Sequence, residues 1–384
     1  MGRTKTAAAD VNLLRFAVAS CSNYEWGYFN AYRAMSDELE LDAILHLGDY
    51  IYEYGIGRYG DTSIGRLNIP PHEIITLQDY RDRYALYRLD EDLQAAHQFH
   101  PFITIWDDHE ITNNAYKEGA QNHQEEEGSY AERKAIAKQV YYEWMPIKES
   151  EQHFRNISYG NLVDLIMLDE RLEGRSQPAD SLEDPRYDDP SQSMLGQRQL
   201  LWLENQLKNS VATWKLIGNQ VIFSRVNNPS GWRNLDAWDG YPVEQGKVAD
   251  IILENNIENV VFLTGDTHAS WAFEVHHNPL DDYVSAGGLA LEFGTTSINS
   301  ANSDERNPVD SVLLLERKLT DPALNPHLKY NNMRDHGYLS LTISKNELKA
   351  DFIYVKTVKK REAQNYVGKS FTASAGEIKL HAVH

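Results

Sequence analysis

Cysteine and long apolar runs are scarce in this chain of 384 residues. Cys21 is the only cysteine, so the chain cannot form an intramolecular disulfide, and cysteine pairing gives no indication of its redox compartment. No apolar run approaches the roughly 20 residues that a membrane-spanning helix needs. We also recognise no signal peptide near the N-terminus. The sequence therefore predicts no membrane segment.

Positive charge is scarce as well. The chain has 37 Lys and Arg residues against 57 Asp and Glu residues, which gives a formal net charge of −20. Specific or nonspecific binding to nucleic acid, or to an anionic membrane, would need basic clusters that this chain lacks. An acidic excess is usual for a solvated surface, so the composition by itself identifies no substrate and gives no oligomeric state.

Short apolar segments that end in polar residues recur along the chain. Residues 13–20 have the character of a strand that ends at Cys21, and residues 43–47 form a second buried strand that leads through Gly48 to Asp49. Between them, residues 29–39 have helical spacing. A strand–helix–strand unit of this kind brings the carboxyl ends of parallel strands together. We therefore expect Cys21 and Asp49 to be neighbours.

The same pattern continues further along the chain. Strands are predicted at 101–106, 162–168 and 259–264, helices at 77–98, 129–145, 195–209 and 243–254, and an antiparallel hairpin at 338–342 and 348–355. No internal repeat, low-complexity tract or interdomain linker interrupts this order. The sequence thus predicts an α/β protein with a single domain over residues 1–384.

Four of these strand ends together offer a set of metal ligands. A Gly-Asp pair after a strand is also an ordinary turn, and a lone Cys or His is usually structural. Chance placement of so many ligands at four separate strand ends is much less probable, which favours a metal site. The candidates are Cys21, Asp49, Tyr52, Asp108, His109, Asn113, Asp266 and His268.

The types of ligand suggest two unlike cations. Thiolate, phenolate and imidazole groups suit a redox-capable transition metal such as ferric iron, whereas carboxylate and amide oxygens suit calcium, magnesium or manganese. Asp49 would bridge the two ions. Such a pair can hold an anionic phosphate and activate water for in-line displacement. The residues therefore predict phosphoester hydrolysis.

The chain resembles the alkaline phosphatase D (PhoD-like) family of metallophosphoesterases, which is related to the purple acid phosphatases. The resemblance rests on ASC at 19–21, HLGDYIYEYG at 46–55, WDDHEITNN at 106–114, DAWDGY at 236–241, TGDTHASW at 264–271 and NPHLKY at 325–330. It implies a four-layer α/β/β/α sandwich with two mixed sheets. It also implies alkaline phosphatase or phosphodiesterase activity on small phosphate esters, with Fe³⁺ and Ca²⁺ as cofactors.

The resemblance assigns roles to individual residues. Asp49 and His109 would be catalytic, with His109 stabilising the transition state or protonating the leaving alkoxide. The iron position would use Cys21, Asp49, Tyr52 and His268. The calcium position would use Asp49, Asp108 and Asp266, with Asn113 as a further ligand.

The chain also departs from the family pattern. Family members commonly carry an export signal and a small β-domain before the first strand, whereas this sequence begins almost at that strand. The resemblance implies a periplasmic or secreted protein, and the missing signal leaves a cytoplasmic location open. We expect the segment 325–384 to cover the mouth of the site. Arg171 and Arg133 are candidates for substrate binding, with surface salt bridges as an equal alternative.

Two other function classes are compatible with parts of the sequence. The chain could be a calcium-binding structural protein without catalysis, although a hard oxygen site has no use for the Cys21 thiolate. It could also be a cysteine hydrolase with Cys21 as nucleophile, but no dedicated His/Asn partners are evident. The phosphoester hydrolase is the leading hypothesis.

Overall fold

The computed structural model describes residues 2, 4–7, 9–277 and 288–383. Its strands are β1 (Leu13–Ala19), β2 (Ala43–His46), β3 (Phe102–Thr104), β4 (Ala115–Tyr116), β5 (Gly119–Ala120), β6 (Arg155–Tyr159), β7 (Val163–Met167), β8 (Trp214–Gly218), β9 (Val260–Thr264), β10 (Ser270–Val275), β11 (Ala290–Gly294), β12 (Leu328–Asn332), β13 (Gly337–Ser344), β14 (Glu347–Val355), β15 (Asn365–Ser374) and β16 (His381–Val383). Its α-helices are α1 (Asn30–Asp37), α2 (Leu77–Tyr87), α3 (Glu91–Phe99), α4 (Tyr130–Trp144), α5 (Gly196–Asn209), α6 (Pro242–Glu254) and α7 (Val309–Leu319).

The strands form two seven-stranded sheets and a small β4–β5 hairpin. The first sheet has the order β16–β15–β14–β13–β1–β2–β3, and the second has the order β12–β10–β11–β9–β8–β7–β6. In the first, β1, β2 and β3 are parallel, while β13 pairs antiparallel with β1. In the second, β7, β8, β9 and β11 are parallel, and β6, β10 and β12 are antiparallel to their neighbours. Both sheets are therefore mixed, as predicted.

The two sheets pack face to face and are covered by helices on both outer faces. The core between them combines side chains such as Phe16 and Leu341 of the first sheet with Leu216 and Phe293 of the second. Helices α1–α4 pack on the outside of the first sheet and α5–α7 on the outside of the second. This arrangement confirms the predicted four-layer α/β/β/α sandwich.

Burial explains why the central strands show no alternation in the sequence. Every residue of β7, β8 and β9 is buried, as expected for parallel strands covered on both faces. Fully burying one Leu, Val or Phe side chain contributes about 1.5–3 kcal/mol relative to leaving it exposed. The buried apolar side chains of these strands therefore contribute to the stability of the sandwich.

Some elements differ from the sequence-based prediction. The single helix expected over 77–98 is two helices, because Asp90 begins a new one by accepting hydrogen bonds from the N–H groups of Asp92 and Leu93. Strand β10 and helix α7 were not predicted. The described part of the C-terminal segment builds β12 at the edge of the second sheet and β13–β16 in the first.

Among the residues that the structure describes, none of the helices combines the length and the apolar character needed to cross a bilayer.

Candidate metal centre

The predicted ligands follow the carboxyl ends of strands in both sheets. Cys21 follows β1 and Asp49 follows β2, and the two loops are joined by backbone hydrogen bonds from Cys21 N to Gly48 O (3.2 Å) and from Ser22 N to Asp49 O (2.9 Å). A Cβ atom on Gly48 would collide with the backbone nitrogen of Asp107, so glycine permits the close approach of the loop after β3. Parallel pairing of β1, β2 and β3 thus places these loops side by side.

Four of the predicted ligands have a backbone conformation that is uncommon for residues other than glycine. The φ angles are 61° at Cys21, 55° at Asp49, 59° at Asp266 and 52° at His268. Such strain persists where the surrounding structure over-determines the conformation, and it concentrates at functional sites. The four residues with this strained backbone are residues whose side chains meet at a single centre.

The predicted iron ligands lie together in the structure. Ligand atoms of Cys21, Asp49 and His268 are all within 4.8 Å of one another. The Cys21 thiol donates to Asp49 Oδ2 at 3.4 Å, and the Tyr52 hydroxyl donates to the same oxygen at 3.2 Å. Tyr52 Oη also lies 3.0 Å from His268 Nε2. One thiol, one phenol, one imidazole and one carboxylate therefore converge.

Two further groups of possible ligands adjoin the first. Asp49, Asp108 and His109 form one, and Asp107, Asp108 and Asp266 form the other, each with ligand atoms within 4.8 Å. The carboxylates of Asp49 and Asp108 each belong to two groups, which makes the whole cluster continuous. Asp107 is an addition to the predicted set, and it stands beside Asp108 in the same motif.

Asn113 lies at the rim of this cluster. It lines the cavity that contains Asp49 and Asp108. Its backbone N–H donates to Glu53 Oε1 at 2.8 Å, and its side-chain amide donates to Gln121 Oε1 at 2.9 Å. The predicted ligand role of Asn113 stays a prediction.

The cluster concentrates acidic groups away from water. Burial, and after it the Asp49 carboxylate, raises the pKa of the Cys21 thiol well above its usual value, and burial does the same for Asp49 and Tyr52. Burial also raises the pKa of Asp107 to about 8 and that of Asp266 to about 7. Bound cations would oppose these shifts by favouring the ionised forms. Soft and hard anionic donors crowded in this way fit a site for cations.

Arg171 lies beneath the cluster rather than in its cavity. Its fully buried guanidinium donates to Asp107 Oδ1 at 2.5 Å, to Asp236 Oδ2 at 2.7 Å and to Asp266 Oδ1 at 3.4 Å. These contacts offset carboxylate charge and orient Asp266. They correspond to the salt-bridge alternative for Arg171, although the salt bridges are buried and not at the surface.

Arg133 lies in a different network. Its buried guanidinium binds Glu73 at 2.8 Å and Glu127 at 3.3 Å, and it also donates to the Tyr80 hydroxyl and to the carbonyl oxygen of Ile74. Arg133 is not among the residues that line the cavity of the metal centre. Its contacts again favour a structural salt bridge over the substrate-binding role.

The centre opens into a cavity of about 420 Å³. Two exposed arginines, Arg58 and Arg306, contribute to its lining, and the Arg306 guanidinium carbon lies 4.8 Å from the ring centroid of Tyr59. The sequence analysis did not single out either arginine. The described residues of segment 325–384 contribute nothing to this lining, so the described structure gives no support to the expected cover. The predicted site residues that do contribute are Asp49, Asp108, His109, Asn113, Asp266 and His268.

His109 is paired with a buried glutamate that the sequence analysis missed. His109 Nδ1 lies 2.6 Å from Glu53 Oε2, while Glu53 Oε1 accepts from the amide of Asn122 at 2.9 Å. Burial opposes charge on His109, but Asp108 and Glu53 together raise its pKa well above the usual value. The Glu53 contact orients the ring through Nδ1. The signal that could have identified Glu53 is its position inside the HLGDYIYEYG motif.

Comparisons with known proteins agree with this geometry. The sequence profile of the PhoD-like phosphatase family matches residues 16–352. Alkaline phosphatase D of Bacillus subtilis (strain 168) is 38% identical over 371 residues, which cover 92% of this chain and 61% of that protein. This chain thus spans about three fifths of the length of that curated relative.

Solved structures show the same relationship. A structure of PhoD aligns with a TM-score of 0.86 at 35% identity and covers 99% of this chain and 73% of its own. The purple acid phosphatase PPD1 from yellow lupin (Lupinus luteus) seeds aligns with a TM-score of 0.56 at 12% identity, covering 95% of this chain and 54% of its own, which shows a shared fold. The family profile, the sequence identity and the PhoD structure together show that this chain belongs to the PhoD-like phosphatase family.

Proposed function

We propose that this chain is a metal-dependent hydrolase of phosphoric esters, acting as an alkaline phosphatase, a phosphodiesterase or both. The observation that carries the proposal is the position of the Asp49 carboxylate. It belongs both to a group with a thiol and an imidazole and to a group with Asp108 and His109. One carboxylate shared by unlike donor sets is what a bridging ligand of two unlike cations requires.

We assign ferric iron and calcium to the two positions. Thiolate, phenolate and imidazole donors favour ferric iron, and carboxylate and amide oxygens favour calcium. The iron position uses Cys21, Asp49, Tyr52 and His268. The calcium position uses Asp49, Asp108 and Asp266, with Asn113 at its rim.

The residues around the centre divide the work of hydrolysis. The cations, when bound, would supply Lewis acidity to the phosphate oxygens and lower the pKa of the attacking water. As water adds to phosphorus and the P–O bond to the alcohol breaks, His109 donates its Nε2 proton to the departing oxygen. Glu53 holds the imidazole in place, and Arg58 and Arg306 face the remaining negative charge of the phosphate.

The geometry supports this function over the two alternatives. A structural calcium site would not need the Cys21 thiol and the Tyr52 phenol, which both lie against Asp49. A cysteine nucleophile would need an activated thiolate, whereas burial raises the pKa of Cys21. Its side-chain partners are Ser20 and Asp49, neither of which is a histidine base.

Metal analysis and an activity assay test the proposal together. We expect about one iron and at least one calcium per chain, a visible phenolate-to-iron absorption band that is lost in Tyr52→Phe, and hydrolysis of p-nitrophenyl phosphate or bis(p-nitrophenyl) phosphate. Asp49→Asn should lose both metals and the activity, whereas the exposed control Asp310→Asn should keep both. A colourless protein that holds calcium alone and hydrolyses neither ester would support the structural calcium-binding alternative instead.

A further inference from the structure

A second cavity adjoins that of the metal centre. It has a volume of about 540 Å³, and Asn114 lines both cavities. The side-chain amides of Asn113 and Asn114 each donate to Gln121 Oε1 at 2.9 Å, so Gln121, which lines the second cavity, is tied to the rim of the first. The two cavities are therefore adjacent at Asn114.

The second cavity offers an aromatic face. Trp232 contributes to the lining, and it is 63% exposed, which is unusual for so large an apolar side chain. Tyr116 lines the same cavity and is partly exposed. Exposed aromatic faces bind flat rings by stacking, which is worth about 1–3 kcal/mol for a nucleic-acid base.

The rest of the lining is polar but has compensated charge. Amide groups come from Asn114, Gln121 and Gln177. The charged side chains that line the cavity are paired. Asp236 binds Arg171 at 2.7 Å and Asp180 binds Arg186 at 2.6 Å. The third charged side chain, Arg233, lies 3.6 Å from Asp239. A cavity of this kind favours a neutral group that both donates and accepts hydrogen bonds.

We propose, on the basis of the proposed function, that this cavity is a subsite for an ester substituent of the substrate. The substituent is a neutral ring that can lie against an aromatic face and that carries hydroxyl or amide groups, either a sugar ring or a heterocyclic base. It stacks on Trp232 and hydrogen-bonds to Asn114 and Gln177, while its phosphate lies at the metal centre. The subsite thus gives selectivity for ring-bearing phosphate esters over simple alkyl ones.

A further, largely apolar cavity that Trp232 also lines could hold a competing kind of substituent. This space of about 280 Å³ is lined by Trp232 and Asn234 together with apolar side chains such as Trp271, Leu315 and Met333. An alkyl chain would suit it better than a polar ring. Among the described lining residues, however, it shares none with the cavity of the metal centre, whereas the polar cavity shares Asn114.

Competition among simple phosphate esters tests the subsite. The assay follows metal-loaded protein hydrolysing whichever p-nitrophenyl ester it accepts, and it measures the inhibition constants of methyl phosphate, hexyl phosphate, glucose 6-phosphate and adenosine 5′-monophosphate. All four carry the same phosphate group, so differences among their inhibition constants report the contribution of the substituent. We expect at least one ring-bearing ester to bind about tenfold more tightly than methyl phosphate.

Matched variants connect that preference to the cavity. Trp232→Ala should bring the ratio of inhibition constants between the ring-bearing ester and methyl phosphate close to one, and Gln177→Ala should reduce it. Leu201→Ala is the matched control, because it removes an exposed apolar side chain elsewhere, on α5, and it should leave the ratio unchanged. The relative constants of the glucose and adenosine esters decide between a sugar ring and a base.

The other outcomes overturn the proposal in distinguishable ways. Equal constants for all four esters, or a ring preference that survives Trp232→Ala, would remove the subsite while leaving the proposed function intact. If hexyl phosphate binds most tightly, the apolar cavity and not the polar one holds the ester substituent. A metal-loaded protein that hydrolyses no p-nitrophenyl ester would overturn the proposed function, and the subsite with it.

Discussion

Cys21, Asp49, Asp266 and His268 show how local strain and side-chain chemistry combine at single residues. Each has a positive φ angle and directs its side chain into one cluster. Replacing any of them with glycine would relieve the strain but remove a donor. The strained backbone is therefore an energetic cost of holding these candidate ligands in place before a cation binds.

The contact between Glu53 and His109 leads to the first prediction. Glu53→Gln keeps the size of the side chain but removes the negative charge 2.6 Å from His109 Nδ1. Loss of such an orienting partner typically costs 10–100-fold in activity or metal affinity. We expect kcat to fall by about that factor while KM and the metal content stay close to those of the wild type. Steady-state kinetics and elemental analysis measure the two effects.

A second variant separates orientation of the imidazole from general damage to the same network. Glu73→Gln alters another acid, which binds Arg133 and Asn122 near Glu53. It should leave kcat within about twofold of the wild type. Equal losses in the two variants would point to general damage to this network instead of lost orientation of His109. Loss of metal from Glu53→Gln would mean that Glu53 acts on the metal centre and not on His109.

Strands in this protein carry buried polar groups as well as apolar ones. Glu292 of β11 is fully buried, where it accepts hydrogen bonds at 2.8 Å from the backbone N–H groups of Phe223 and Ser224. Burial raises its pKa from 4.5 to about 7. Since the folded state binds this proton more tightly than the unfolded state, stability falls as pH rises from about 4.5 to about 7.

The second prediction follows from this decrease of stability with rising pH. In metal-free protein, the pKa difference corresponds to about 3 kcal/mol of stability lost between pH 4.5 and pH 8. Glu292→Gln cannot ionise, so it should lower stability by a constant amount and flatten the dependence on pH. Thermal or urea unfolding at several pH values measures how stability changes with pH in the wild type and in the variant. The exposed control Glu347→Gln should keep the wild-type slope, and an unchanged slope in Glu292→Gln would refute the prediction.

The two sheets meet at the metal centre, which makes bound metal a contributor to the stability of the whole molecule. The proposed ligands come from loops after β1, β2 and β3 in the first sheet and after β9 in the second. Cations that bind the folded state alone stabilise it by about 2.7 kcal/mol for each site at a concentration 100-fold above its Kd. Without cations, the buried acids must be protonated or repel one another.

Chelation gives the third prediction. Removing metal from the wild type should lower Tm by several degrees, and adding iron and calcium back should restore it. Asp49→Asn should show little change on chelation, because the bridging ligand is absent. Differential scanning calorimetry with and without chelator measures the shift. A wild-type Tm that chelation leaves unchanged would show that the centre binds no cation in the folded protein.

The sequence determined much of the architecture and which candidate ligands lie close together. Apolar runs before Cys21, Asp49, Asp108 and Asp266 predicted strands, and parallel strands place their carboxyl ends together. Patterns of this kind depend on local spacing, which the sequence displays directly. The elements that were missed had weaker local signals, as in β10, where the acidic residue Glu274 interrupts a short apolar run.

Only the tertiary structure decided what surrounds those ligands. Arg171 meets Asp236 and Asp266 beneath the centre, Glu53 meets His109, Arg58 and Arg306 share its cavity, and Asn114 joins that cavity to the one beside Trp232. These partners are separated by up to 248 positions in the chain, as between Arg58 and Arg306. Their proximity depends on how the two sheets and their loops pack, and the spacing of residues along the sequence contains no measure of that packing.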